Sequence, residues 1–420
     1  MTNARRHLDE IQRGGVFVLL RKCKSLTKRA LFRMSVISAA PIVLIVTLLR
    51  PLVIIRFGTM PSGRIGHFAG DIEAYLCLRE REHATRRTVD IIGCPQPACN
   101  TQLELMWERK IRVTPGATLW KVLDEACLFW TRGERHHVKL YGRRKDYVIF
   151  PYIKIQLQFS ESERQQGIGL LRQLGIPDGA SWICIHNRDS AYLDNAGKGR
   201  FPQHDYRNFS IDSMGLASEE LAQRGHYVLR MGSLVAEKFT INNNPKIIDY
   251  ASSPFRSDFA DIYLLANCAA YFGGDSGVFA IPFVFRKPMH HVNYSSTQID
   301  FLLDQFITDP VIVKRLWHKE KQRFLSMREI FEIDLADASE TFLFEKNGLE
   351  VVNNTAEEIR EFAIEIDERL RGQWHPTRDD RILQEAFWEN FLKYSPNKRA
   401  EKISGRIGAA FLRKHADLLN

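Results

Sequence analysis

The sequence predicts an α/β protein with two doubly wound domains. Three features predict it: short β-branched apolar runs, helical spacings between them, and glycine-bearing turns where the runs end. At 420 residues the chain has room for two ordinary domains and appendages. Its 45% hydrophobic and 26% charged residues are globular proportions, which exclude a disordered chain and a polytopic membrane protein.

The formal charge of +9 is unevenly placed. Residues 1–33 hold nine basic residues (Arg5, Arg6, Arg13, Arg21, Lys22, Lys24, Lys28, Arg29 and Arg33) against Asp9 and Glu10, a balance of +7 that leaves +2 for the rest. A nearly neutral body gives no footprint for nucleic acid. The basic stretch runs into an uncharged apolar segment, residues 34–49, closed by Arg50 and Pro51. Sixteen residues with Pro41 inside are short for a spanning helix. A signal peptide fits poorly, because the charged leader is too long and a core-like strand follows. The favoured reading is an interfacial or re-entrant anchor beside anionic lipid, with a true span and a buried core helix as alternatives.

Residues 50–175 are predicted to form the first domain. Leu52–Phe57 reads as a buried strand ending in a loop with Gly58, Pro61, Ser62 and Gly63. Ile65, Phe68, Ala69, Ile72, Tyr75 and Leu76 recur at helical spacing, and Thr88–Ile92 is the second strand. Helices are expected near 100–110, 117–130 and 160–174.

The second domain, residues 176–335, opens with the strand Trp182–Ile185. A helix at 211–223, strands Tyr227–Met231 and Lys246–Asp249, a helix Asp258–Asn267 and a strand Ala269–Phe272 follow. A helix from near Ser276 and a strand Pro288–Val292 complete the alternation, which implies parallel βαβ units with ligands beyond the carboxyl ends of the strands. Residues 336–420 read as C-terminal helices, at 354–371, 378–394 and 399–418.

The seven cysteines are odd in number and scattered, which fits a reduced compartment, and the Cys94–Cys99 spacing has no partner pair for zinc. The candidate chemistry sits at strand ends. His186-Asn187-Arg188-Asp189 follows the strand at 182–185, and an Arg there offers a fork of donors suited to a diphosphate. Pairing of Arg188 with Asp189 or Asp205 is the structural alternative. Gly273-Gly274-Asp275-Ser276-Gly277 lies between a strand and a helix, where free amides favour an anion, although Asp275 or Ser276 could simply cap the helix. Arg230 ends a third strand. Neither GxxxxGK[ST] nor GxGxxG follows any strand, which sets aside ordinary NTPase and dinucleotide readings.

Gly63-Arg64-Ile65-Gly66-His67, HNRDSAYL at 186–193, DYRNFSI at 205–211, YVLRMG at 227–232 and GGDSG at 273–277 occur in that order. From about residue 50 onward the chain resembles a bacterial family of glycosyltransferases from surface-polysaccharide gene clusters. The H-x-R is similar to the donor-phosphate motif of fucosyltransferases, and the D-S-G turn to that of heptosyltransferases. The resemblance implies a GT-B fold, two Rossmann-like domains facing a cleft, with a nucleotide-sugar donor on the second. It implies diphosphate contacts from Arg188 and Ser276 and neither bound metal nor further cofactor, while the strand-end positions make His186, Asp189, Arg230, Asp275 and Gly277 further donor-site candidates. The acceptor would be a glycan or a lipid-linked sugar, at the cytoplasmic face of the bacterial inner membrane in monotopic or peripheral attachment. Glycosyl transfer also needs a base, expected on the first domain. Asp71 is the first choice and His67, one helical turn away, the second, with Asp189 a rival. The competing functions are a sugar-nucleotide epimerase of the same fold and a non-catalytic nucleotide-sugar or glycolipid binding protein.

Overall fold

A seven-stranded parallel sheet organises the larger part of the protein. The computed structural model describes residues 3–81, 88–132, 134–191, 202–239, 244–298, 309–333, 335, 340–394 and 405–419, and of residues 3–22 only the side chains of Val16 and Leu20. Tyr192 and Leu193, the end of one motif, lie outside the described residues. The chain forms two compact units, one of residues 1–63, 79–98 and 108–141, the other of 64–78, 99–107 and 142–420.

In the first unit the strands β1 (Ile54–Thr59) and β2 (Thr88–Gly93) pair in parallel, and single parallel bridges at Phe57–His137 and Ile92–Val113 extend the sheet on either side. Arg56 clasps Asp90 across the pair, its Nε and Nη2 at 2.6 and 2.8 Å from the two carboxylate oxygens. The apolar run is helical, as Asn3–Ser38 and Ala40–Leu48, with a 40° bend where Pro41 enters the first turn of the second helix. Val36, Ala39, Val43 and Val46 are buried against Phe57, Leu123, Ala126 and Cys127. Met34, Ile37, Leu44, Ile45 and Leu48 are exposed. The run is thus a core helix on one face and an uncovered apolar surface on the other. Among the described residues no single helix is long and apolar enough to cross a membrane, whereas the bent pair together has the length and composition.

In the second unit the strands are β3 (Trp182–His186), β4 (Tyr227–Arg230), β5 (Ile247–Ile248), β6 (Ala270–Gly273), β7 (Met289–Tyr294) and β8 (Pro310–Val313). A small antiparallel sheet follows, with β9 (Arg315–His318) between β10 (Arg323–Phe324) and β11 (Leu349–Val352). The last strand, β12 (Arg406–Ile407), pairs with β8 in the main sheet. The main order is β12-β8-β7-β6-β3-β4-β5, every neighbouring pair parallel. Its first six strands follow the 3-2-1-4-5-6 order of a dinucleotide-type fold, whose progression reverses between β3 and β6. All five residues of β3 are buried, which explains why it reads as a continuous apolar run rather than an alternating one.

Two readings need correction. Residues 310–324 and 349–352 form strands that short length and mixed composition conceal. The segment 399–418 is not one helix: among its described residues a strand at 406–407 precedes the helix Ala409–Lys414. Gly408 sits between them because a Cβ there would lie 2.8 Å from Ile312 and 2.9 Å from Phe362. The helices Ala356–Leu370 and Arg378–Tyr394 form as expected, the first under a Thr355–Glu358 capping box.

Gly273 ends β6 where its neighbour β3 comes closest. A Cβ there would meet the His186 carbonyl oxygen at 2.3 Å and its nitrogen at 2.9 Å, and a backbone neighbour cannot rotate away. Gly273→Ala is expected to destabilise the second unit by about 1–3 kcal/mol or more, read by denaturant unfolding. A wild-type unfolding midpoint would show that the strand ends are not packed this closely.

Candidate functional site

The strand order reverses between β3 and β6, the place where folds of this topology bind ligands beyond the carboxyl ends of the strands, and there His186 pairs with Gly273 in the register. His186 Nδ1 donates to the Met231 carbonyl at 3.0 Å, which leaves Nε2 as an acceptor. Burial lowers its pKa to about 4, so the ring is neutral at pH 7. Asn187 donates to the Phe209 carbonyl at 3.0 Å and so ties the end of β3 to the segment after the 3₁₀ turn Pro202–Arg207.

Arg188 is buried and makes no ion pair among the described residues. Its Nη1 donates to the His204 carbonyl at 3.0 Å and to Asn208 Oδ1. Burial, with Arg207 nearby, lowers it to about 10 against the pull of Asp275 and Asp205. Arg207 reaches Asp275 at 3.3 Å, and its buried Nε has no partner. Lys314, immediately after β8, is also buried and donates to the carbonyls of Tyr206 and Asn208 at 2.8 and 2.9 Å. Burial, with Arg188 and Arg207 beside it, lowers the Lys314 ammonium to about 7. Arg188, Arg207 and Lys314 are therefore all drawn toward Asp275, and among the described residues only Arg207 is paired with it. Desolvated charge is costly to a fold unless an opposite charge offsets it.

Ser276 caps the short turn Gly277–Phe279 by accepting from the Val278 amide at 3.3 Å. Gly277 lies against the first turn of the helix Ile65–Arg81: a Cβ on Gly66 would be 3.2 Å from the Gly277 Cα. Both glycines permit this approach, which brings the GRIGH and GGDSG motifs together within one unit. One residue on from Gly66 is His67, part-exposed, with Nδ1 3.0 Å from Asp71 Oδ2. Asp71 is fully buried. It also accepts from the amides of Gly142 and Arg143 at 2.9 and 3.2 Å and from the Tyr147 hydroxyl at 2.8 Å. Burial raises its pKa, but the hydrogen bonds from His67, Tyr147 and Gly142 outweigh that and hold it below the ordinary value. Asp71 is thus an ionised anchor with both oxygens occupied, and the His67 ring is the group it orients.

The expected residues divide. His186, Arg188, Asp275, Ser276 and Gly277 gather at the β3–β6 switch. Arg230 is fully buried, with Nη1 3.2 Å from Asp249 and Nη2 3.5 Å from Asn187, so it ties the ends of β3 and β4 to the segment after β5, while its Nε has no partner among the described residues. Asp189 accepts from the amides of Ala191 and Ala236 and organises its loop. Two cations escaped the sequence reading. Arg207 lies inside the quoted DYRNFSI run, and Lys314 ends the run Pro310–Val313 as Arg188 and Arg230 end theirs, a signal that was available. Among the described residues no group of three or more His, Cys, Asp or Glu is placed to hold a metal ion.

Neither a protein-family model nor a curated protein matches the chain. Among solved structures it is similar to the ADP-heptose lps heptosyltransferase II of E. coli, at 16% identity and a TM-score of 0.35, covering 62% of this chain and 90% of that one. It is also similar to a glycosyl transferase family 9 protein from Veillonella parvula (10% identity, TM-score 0.35, 57% and 80% covered). A third is the bacterial iron-containing dodecameric glycosyltransferase TibC from enterotoxigenic E. coli (12%, TM-score 0.34, 61% and 62% covered). Likenesses this faint leave the activity to be argued from the residues themselves.

Proposed function

We propose that the protein is a glycosyltransferase that moves a sugar from a nucleotide diphosphate donor to a glycan or lipid-linked acceptor, on the cytoplasmic side of a bacterial membrane. The observation that carries the reading is the buried cluster of Arg188, Arg207 and Lys314 around Asp275, at the strand-order reversal of a parallel sheet. A diphosphate offers this cluster a negative partner. The acceptor oxygen forms a bond to the anomeric carbon while the bond from that carbon to the donor phosphate oxygen breaks, and its electron pair stays on the diphosphate. The three cations stabilise the charge gathered there. Their placement gives the leaving group its counter-charge from side chains, so the proposal assigns no metal and no cofactor beyond the donor. His67 Nε2 takes the acceptor's proton, and Asp71 fixes the Nδ1–H tautomer, which reverses the order in which the sequence ranks the pair. The apolar face of residues 34–48 and the basic residues before it hold the enzyme at its acceptor's membrane.

Lys314 supplies a test of the donor site with a defined sign. Its folded value of about 7 lies below that of an ordinary ammonium, so in the free protein the charge is lost as pH rises through 7. A bound diphosphate favours the charged form. Donor affinity is therefore expected to be highest below pH 7 and to fall above it, with proton uptake on binding at pH 7.5–8. Calorimetric titration of a nucleotide sugar in buffers of differing ionisation enthalpy reads this uptake, and Lys314→Met should remove it. Binding without uptake, unchanged in Lys314→Met, would place the diphosphate elsewhere.

A further inference from the structure

The first unit carries a second concentration of positive charge, unrelated to the donor site. A cleft of about 710 Å³ is lined by Lys24, Ser25, Lys28, Arg29, Phe32 and Arg33 of the N-terminal helix and by Lys121 of the helix Ala117–Thr131. No carboxylate lines it, and none of the five cations makes an ion pair among the described residues. The local carboxylate with a clear partner, Asp124, is engaged by His137 at 2.6 Å. Lys121 lies over the Phe32 ring at 5.7 Å, so the helices meet at the cleft through a cation–π contact.

The two helices that form the cleft also carry exposed apolar residues. Leu26, Leu31 and Met34 on the N-terminal helix are exposed, as are Phe129 and Trp130 on the other, where the Trp130 indole donates to the Val36 carbonyl at 3.3 Å. Exposed aromatic residues beside apolar helices and basic side chains are the composition of a membrane interface. A volume of this size accommodates a headgroup.

The geometry points to this cleft as a binding site for the phosphate of a lipid. The five cations hold a phosphate or diphosphate carrying about two negative charges, and the acyl or prenyl chain lies along the exposed apolar residues. The inference builds on the membrane association proposed above. Two lipids share the chemistry: a phosphomonoester lipid of the bilayer and the diphosphate of a lipid-linked acceptor.

Lys121 is the discriminating residue, because it stands outside the basic N-terminal stretch. Calorimetric titration of the full chain with soluble dihexanoyl phosphatidic acid and with farnesyl diphosphate requires no bilayer, so the site can be tested even if membrane association fails. Tighter binding of the first assigns the cleft to a bilayer lipid, and of the second to the acceptor. Lys121→Met should weaken binding at least tenfold, while Lys110→Met, an exposed lysine of the same unit outside the cleft, and Arg188→Ala in the donor site should change it less than about twofold. Simple attraction to a charged surface would cost about fivefold for either lysine, at about 1 kcal/mol per cation. Equal losses in Lys121→Met and Lys110→Met, or no binding of either probe by the wild type, would overturn the site.

Discussion

Arg188→Ala is expected to lower kcat/KM for transfer by about 10²–10³-fold, the cost of removing one preorganised donor from a developing oxyanion. The guanidinium is buried at the end of β3, held by the His204 carbonyl and Asn208, and among the described residues it has no carboxylate within ion-pair distance. Its hydrogen bonds set its direction rather than consume its charge. The fold should survive, since losing those bonds is partly offset by relief of repulsion from Arg207 and Lys314. Arg188→Lys should recover only part of the rate, because a point charge does not reproduce the planar fork. The measurement is steady-state kinetics with the best donor on protein shown to be folded by circular dichroism. Activity within about threefold of wild type, a loss of only ~0.65 kcal/mol, would mean that Arg188 does not hold the diphosphate.

His67→Ala is expected to lower kcat by about 10²–10⁴-fold with donor affinity almost unchanged, the range of a positioned general base. Asp71→Asn should come close to the same loss by a different route. The carboxylate fixes the proton on Nδ1, and an amide can present an N–H there and turn the ring's basic nitrogen away from the acceptor. Asp71 also anchors Gly142, Arg143 and Tyr147, so a second readout separates orientation from damage: His67→Ala and the double variant should be equally slow. Loss of donor binding with turnover retained would move the pair out of proton transfer. A double variant much slower than either single one would make Asp71 an independent contributor.

The second unit was legible because its strands are buried on both faces. Trp182–Ile185 and Ala269–Phe272 read as continuous apolar runs, and the turns after them mark where ligands collect. The helix Asp258–Asn267 lies within the bounds its Ser257 cap and its spacing predict. Strands of two to four residues, such as β10 and β12, leave no periodicity to read, and β12 joins its sheet only through long-range pairing with β8. At the site, composition placed cations at strand ends but could not separate those paired with a carboxylate from those that are not. Arg188 and Arg230 look equivalent in the sequence, and only the positions of Asp249 and Asn187 show that the second is committed. Asp71 and His67 were visible as a pair at helical spacing, whereas their order depended on amides 71 and 72 residues away in the chain.

The measurement that tests the central claim most directly is incubation of purified full-length protein with a panel of nucleotide sugars and bacterial lipid extract, following both nucleotide release and the sugar label. The account predicts that one donor yields nucleoside diphosphate and label in the lipid or glycan fraction in equal amounts, and that Arg188→Ala and His67→Ala abolish both. An epimerised donor with no transfer, or saturable donor binding with no release of nucleoside diphosphate across the panel, would contradict it.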